Sequence, residues 1–243
     1  MEDDVVANLI ELTEYRDRVR VFRDRGHAGE ILATVLAPYA SPDALLLAVP
    51  AGGVPVAFEV AGRLNLSVDL LVVSKITLPW NTEAGYGAVA FDGTVRINEP
   101  LVQHLRLSRE QVEQGISKSR EKVSRRLGLL RGSRPLPDFT KRPVIVLDDG
   151  LASGYTMSVG VEALRKAGAC TVMVAVPTAH LDALARLGGE VESICCANVR
   201  GGWSFAVADA YRLWTDVSEG ELRAMAAELL GPADQGETAP RRR

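Results

Sequence analysis

The chain has 243 residues, 47% of them hydrophobic and 24% charged, with a formal net charge of −3. That length and balance suit one large α/β unit with a full core, and the slight acidity argues against a general nucleic-acid binder. No apolar run reaches the roughly 18 residues that a membrane span needs, and the acidic start, MEDDVVANLIELTEYRDR, lacks the pattern of a signal peptide.

Residues 1–20 read as a leading helix with Val5, Val6, Leu9, Ile10 and Leu12 on one side, and a second helix is expected from His27 to Tyr39. Leu45 to Val49 is a continuous apolar run of the kind a fully buried parallel strand shows. It runs into Pro50-Ala51-Gly52-Gly53-Val54-Pro55, which is followed by a helical stretch. Leu70 to Ser74 is a second buried strand, ending at Lys75. Ile76 to Gly85 mixes Pro, Asn, Thr and Gly without a clean period and is expected to be a long loop, the sort that often serves as a lid. Beyond it, Asp92-Gly93 between two short apolar runs signals a hairpin.

Ser108 with Gln111 forms a capping box, opening a long charged helix to about Leu130 that is expected to lie solvated against the core. Val144 to Leu147 is a third strand, with a loop and a helix from about Thr156 to Ala167 after it. A fourth strand is expected over Cys170 to Val176, a helix over His180 to Leu187 and a fifth strand over Val191 to Ala197. Ser218 and Glu221 have capping-box spacing for a last helix, and the tail from residue 231 is expected to be disordered. The alternation predicts a mainly parallel, five-stranded sheet flanked by helices. Residues 1–230 then form a single domain, with a small appendage over 76–131 made of the lid hairpin and the long helix. Cys170, Cys195 and Cys196 read as buried hydrophobes without zinc-ligand spacing, in line with a cytoplasmic protein.

Ligands of open α/β sheets bind beyond the carboxyl ends of the strands. Asp148-Asp149, Ala51-Gly52-Gly53 and Lys75 are all expected there. The small residues Ala152-Ser153-Gly154-Tyr155-Thr156 let the backbone wrap an anion, and the helix that follows adds its positive end. Ser153 and Thr156 add hydroxyl donors, while the Walker pattern GxxxxGK[ST] is absent. Two carboxylates just before such a loop need donors or a cation, and sugar hydroxyls or Mg²⁺ supply them. A receiver domain also carries paired acids after a strand, but lacks the Ser-Gly-x-Thr loop. Gly52-Gly53 alone would suit an ordinary turn, and Lys75 alone a surface lysine. Trp80 suits either base stacking or packing, and Trp203 with Phe205 suits either an acceptor pocket or an anchor for the C-terminal segment.

The segment Val144 to Thr156, VIVLDDGLASGYT, resembles the signature of the type I phosphoribosyltransferases. Phe22 to Arg25 (FRDR), VPAGGVPVAFEVA, VVSKITLPWNTEAGYGAVA, VRINE and WSFAVADAYRLW extend the resemblance toward a poorly characterised prokaryotic branch of that family, over roughly residues 20–230. The resemblance implies phosphoribosyl pyrophosphate (PRPP) and Mg²⁺, with a nitrogen acceptor, usually a nucleobase, displacing pyrophosphate. Asp148 and Asp149 would hold the ribose hydroxyls and, indirectly, the metal. Ala152 to Thr156 would hold the 5-phosphate, Ala51-Gly52-Gly53 would be the pyrophosphate loop, Lys75 would touch pyrophosphate and Ile76 to Gly87 would be the lid. Two positions depart from the pattern. Ala51 stands where the family often carries Arg, which removes a cation, and Ala152 stands where 6-oxopurine enzymes carry an acid, which argues against hypoxanthine or guanine. The implied partners are PRPP and a small nitrogenous acceptor, with a homodimer left open, and neither nucleic acid nor membrane is expected.

Overall fold

Alternate residues along the central strands face opposite layers, and that division organises the molecule. A computed structural model describes residues 8–231. Its strands are β1 (Leu9–Glu11), β2 (Leu45–Ala48), β3 (Ser67–Leu70), β4 (Val73–Leu78), β5 (Asn81–Ala90), β6 (Val95–Ile97), β7 (Val144–Leu147), β8 (Val172–His180) and β9 (Ser193–Arg200). Its helices are α1 (Arg25–Leu36), α2 (Gly53–Leu64), α3 (Glu99–His104), α4 (Arg109–Arg131), α5 (Tyr155–Lys166), α6 (Leu181–Leu187) and α7 (Glu219–Leu230). Leu45, Leu47, Val144, Val146, Val172 and Val174 turn toward α5 and α6, while Leu46, Ala48, Ile145 and Leu147 turn toward α1 and α2. Residues buried on both faces are why these strands read as unbroken apolar runs.

The main sheet has six strands, ordered β1-β9-β8-β7-β2-β3, and every pairing is parallel. The sixth strand corrects both the five-stranded expectation and the leading helix. Residues 1–7 lie outside the described residues. From Asn8 onward the chain is no helix, because Leu9, Ile10 and Glu11 pair with Ile194, Cys195 and Cys196 along the open edge of β9. Only a short 3-10 turn follows, at Thr13–Tyr15. The apolar residues serve an edge strand as well as they would a helix face, and the partner strand decides.

A second correction concerns the run expected as a strand ending at Lys75. Parallel pairing stops at Leu70, and after Leu71-Val72 the chain enters a separate antiparallel sheet, β4-β5-β6. Ile76 to Gly85 is therefore a hairpin arm and not a loop, turning at Pro79-Trp80. Burial of Ile76 and Leu78 about a half-buried Thr77 gives it strand alternation. The Asp92-Gly93 hairpin between β5 and β6 is present, and Gly93 takes the φ of +87° that its turn needs.

Helix α4 begins at the Ser108–Gln111 capping box and covers this small sheet. Ser119 Oγ donates to the Lys75 carbonyl at 3.2 Å, and a side chain at Gly115 would collide with the Tyr86 hydroxyl, so the helix lies close on β4 and β5. The Ser218–Glu221 capping box opens α7 as expected. Cys195 and Cys196 are buried, but Cys170 is exposed, because β8 starts two residues later than expected and leaves it in the irregular stretch before the strand. The expected tail beyond residue 231 lies outside the described residues. Among the described residues, no helix is long and apolar enough to cross a membrane.

Candidate functional site

The carboxyl ends of β2 and β7, paired in register from Leu45↔Val144 to Ala48↔Leu147, deliver two loops side by side. The first, Pro50 to Gly53, turns straight into α2, and its Pro50-Ala51 peptide is cis. The second begins with Asp148-Asp149 and reaches α5 at Tyr155. The glycines make the juxtaposition feasible. A Cβ on Gly53 would stand 2.7 Å from the Leu147 carbonyl oxygen and 2.9 Å from the Asp148 Cα, and one on Gly52 would overlap the Asp149 carboxylate. The loop named for pyrophosphate and the acids named for ribose thus form one continuous surface.

The second loop is held at both ends. Leu151 extends the sheet by donating to the Thr178 carbonyl at 3.0 Å and accepting from His180 N–H at 2.9 Å. Gly154, at φ +75°, turns the chain into α5 with its Cα against Ala183 of α6. The Ser153 carbonyl accepts from Arg186 Nε at 3.0 Å, and the Arg186 guanidinium covers the Tyr155 ring at 4.2 Å. Ala152 and Ser153 are exposed and Thr156 is half-buried. The first N–H groups of any helix lack intrahelical acceptors, so the start of α5 offers donors to an anion at this exposed loop.

Asp148 and Asp149 are mostly enclosed. Asp148 Oδ1 accepts from the Asp149 N–H at 2.8 Å. Burial and the neighbouring Asp149 charge hold the Asp148 carboxyl well above the usual aspartate range. Burial raises Asp149 too, against the opposing pull of Arg25. Arg25 Nε donates to Asp149 Oδ2 at 2.8 Å and its Nη1 to the Thr215 carbonyl at 2.6 Å, while the guanidinium lies 3.9 Å from the centre of the Trp214 ring. Tyr211 O–H donates to the Asp149 carbonyl at 2.6 Å, and its phenol is pushed well up by burial. Asp24 caps α1 through His27 N–H at 2.8 Å, which sets Arg25 at the first helical position.

Arg25, Tyr211 and Trp214 were given no role by sequence reasoning. The signal was there, since FRDR and the WSFAVADAYRLW segment both carry the resemblance, but nothing local pairs residues this far apart.

The structure brings together Ala51, Gly52, Gly53, Asp148, Asp149 and the loop from Ala152 to Thr156. It does not put Lys75 at a parallel strand end. Lys75 lies inside β4, exposed, with its side chain along Gly85 of β5. Trp80 is exposed at the hairpin turn. On the other side of the phosphate-loop candidate, a cavity of about 550 Å³ is lined by Ala152, His180, Asp182, Trp203 and Phe205. There Phe205 packs edge-on against His180, with ring centres 5.5 Å apart, and under the Arg200 guanidinium at 4.9 Å, while Trp203 is fully exposed.

Comparison with known proteins matches this arrangement to one family. The family model described as "Phosphoribosyl transferase domain" matches residues 27–217. Rv0571c of Mycobacterium tuberculosis (strain ATCC 25618 / H37Rv), whose name assigns it provisionally as a phosphoribosyl transferase, is 34% identical over 204 residues, 84% of this chain and 46% of that protein. The chain therefore spans about half the length of the curated relatives it matches. The crystal structure of TT1426 from Thermus thermophilus is similar with a TM-score of 0.70 and 32% identity, covering 86% of this chain and 99% of that one. With the six-stranded parallel sheet and the facing loops at its carboxyl edge, these matches establish that the chain belongs to the phosphoribosyltransferase domain family.

Proposed function

We propose that the chain binds PRPP with Mg²⁺ and transfers the phosphoribosyl group to a small nitrogenous acceptor. One observation carries this reading: the Asp148-Asp149 pair lies between the Ala152–Thr156 loop that opens α5 and the Gly52-Gly53 loop that opens α2. The spacing along the chain suits one ligand with a phosphate at one end, hydroxyls in the middle and a pyrophosphate at the other.

In the transfer, the bond from the anomeric carbon to the pyrophosphate oxygen breaks and a bond to the acceptor nitrogen forms. Pyrophosphate leaves with the electron pair, and the nitrogen gives up its proton to solvent water. The carboxylates of Asp148 and Asp149 accept hydrogen bonds from the ribose hydroxyls and sit where positive charge develops on the sugar. Their hard oxygen donors fit Mg²⁺, which would offset the charge of the departing pyrophosphate. Among the described residues, no group of three or more His, Cys, Asp or Glu side chains converges. Substrate oxygens and water would therefore complete the coordination, as is usual for this ion.

The acceptor falls to the cavity beside Ala152, where Phe205 and Trp203 offer aromatic faces to a planar ring. Ala152 gives that ring no carboxylate, which disfavours 6-oxopurines. Exposed and buried free thiols together suit a reducing, cytoplasmic setting. We take the chain as one phosphoribosyltransferase unit with β4 through α4 as its appendage.

Calorimetric titration with PRPP and Mg²⁺, followed by pyrophosphate release with a panel of bases and amines, tests the proposal. Absence of binding at millimolar PRPP would sink it. A second reading, a PRPP sensor that no longer transfers, is favoured by the uncharged Ala51, and binding without release under every acceptor would select it.

A further inference from the structure

We infer that the cationic face of α4, formed by Lys122, Arg125 and Arg126, binds the pyrophosphate group and supplies the charge that Ala51 does not. The inference rests on the proposed PRPP site and assigns its anion-binding side chains.

Lys118, Lys122, Arg125 and Arg126 recur at helical spacing along one stripe of α4. The stripe runs over β4 toward the turn after β2. There Arg126 Nη1 donates to the Pro50 carbonyl at 3.4 Å, which puts a half-buried guanidinium on the backbone of the loop itself. Arg125 and Arg126 enclose a cavity of about 240 Å³ together with Ala51 and Glu219. A guanidinium has five N–H groups, and one weak bond to a carbonyl leaves most of them for an anion. Its planar fork matches phosphate oxygens in pairs.

The electrostatics of this stripe are lopsided. Lys122 is pulled below its ordinary range by burial and by Arg126, Arg125 and Lys75 nearby. Arg126 is likewise lowered by burial and Arg125, with Glu219 alone working the other way. Elsewhere in the molecule comparable arginines are matched by acids: Arg96 by Glu162 and Glu190, Arg165 by Glu192 and Arg131 by Asp69. Among the described residues, Lys122, Arg125 and Arg126 make no ion pair. Like charges gathered next to a loop and facing one acid are unfavourable until an anion joins them. A polyphosphate is the anion whose charge matches three cations, and the loop that Arg125 and Arg126 adjoin, one helical turn beyond Lys122, already presents Gly52 and Gly53 with the start of α2. Glu219, at the first position of α7, opposes the same anion.

The test uses inorganic pyrophosphate and ribose 5-phosphate as separate probes, each titrated calorimetrically with Mg²⁺ into the full chain. The variant Arg125→Gln/Arg126→Gln should lose roughly tenfold or more in pyrophosphate affinity and keep its ribose 5-phosphate affinity. Arg126→Lys should recover part of the loss. Glu219→Gln should shift pyrophosphate affinity the other way, toward tighter binding. If loss of the half-buried Arg126 harms folding, Lys122→Gln/Arg125→Gln, which leaves Arg126 in place, must still weaken pyrophosphate. A parent that binds ribose 5-phosphate but no pyrophosphate, or variants that bind pyrophosphate like the parent, overturn the inference. A parent that binds pyrophosphate through these residues but no ribose 5-phosphate upholds the cationic wall and defeats the PRPP reading instead.

Discussion

Arg25 Nε lies 2.8 Å from Asp149 Oδ2, and that contact joins the start of α1 to the end of β7 across 124 positions of sequence. The two side chains are 11% and 14% exposed. The guanidinium is also fixed by Trp214 on its face and the Thr215 carbonyl at its edge. Arg25 thus sets where the Asp149 carboxylate points and works against the burial that raises its carboxyl above the usual aspartate range. Removing one partner of an enclosed pair leaves the other unmatched, at a cost of about 3 kcal/mol. Arg25→Gln should therefore lower stability by about that much in urea denaturation, and Arg25→Lys by less. In the double variant Arg25→Gln/Asp149→Asn, the loss should fall well short of the sum of the single losses. Additive losses would mean that the contact is incidental.

Asp148→Asn and Asp149→Asn should each weaken PRPP binding by roughly tenfold or more, the scale of one lost charge-assisted hydrogen bond. Both acids stand outside the strand core, so far-UV circular dichroism should not change. Asp149→Asn should also lower thermal stability through Arg25, whereas Asp148→Asn should not. If both variants bind PRPP like the parent, the ribose assignment is wrong.

The site was more legible than the sheet around it. Asp148, Asp149 and the loop to Thr156 are contiguous, so one stretch of sequence encodes strand, acids and helix start together. Gly52-Gly53 could be placed because the strand before it is unmistakably buried. Lys75 could not, because an apolar run buried in two successive sheets has the same pattern as one long strand, and only the partners of Leu70 and Val73 reveal the crossing. β1 has a helical look in sequence for a similar reason, since an edge strand takes its identity from β9. Arg25, Trp214 and Arg126 act across long separations and through cation-π or single carbonyl contacts, which leave no periodic trace.

The unliganded protein should respond to pH through Asp148. Its carboxyl titrates well above the ordinary aspartate range in the folded chain. Above both the folded and the unfolded value, the buried charge burdens the folded state in full. As pH falls through the folded value, the folded chain takes up a proton before the unfolded one does, so stability rises. Asp24, Asp138, Glu162, Glu192 and Glu221 are shifted down, Asp138 to about 2, and they lose stability as pH falls. The difference between parent and Asp148→Asn isolates the one group. In chelator and without ligand, the Asn variant should melt higher than the parent at about pH 8, and the gap should narrow toward about pH 5. A gap independent of pH would remove the burial argument for Asp148.

Gly52 has an ordinary helical φ of −66°, so no backbone preference demands glycine there. Space does, because a methyl group would overlap the Asp149 carboxylate. Gly52→Ala must therefore displace either the loop or the carboxylate that Arg25 holds. The cost should be about 1–3 kcal/mol of stability, as for other insertions into a packed site, with loss of PRPP binding. Gly62, in the same helix, has nothing within 4 Å of an added Cβ. Gly62→Ala should raise stability by about 0.5–1 kcal/mol, because alanine loses less backbone freedom in a helix. Two glycine-to-alanine changes ten residues apart in α2 and its cap should thus move the melting temperature in opposite directions, with only the first touching PRPP. If Gly52→Ala binds PRPP normally, the two loops are not one surface in solution, and the contact between Gly52 and Asp149 has no part in binding.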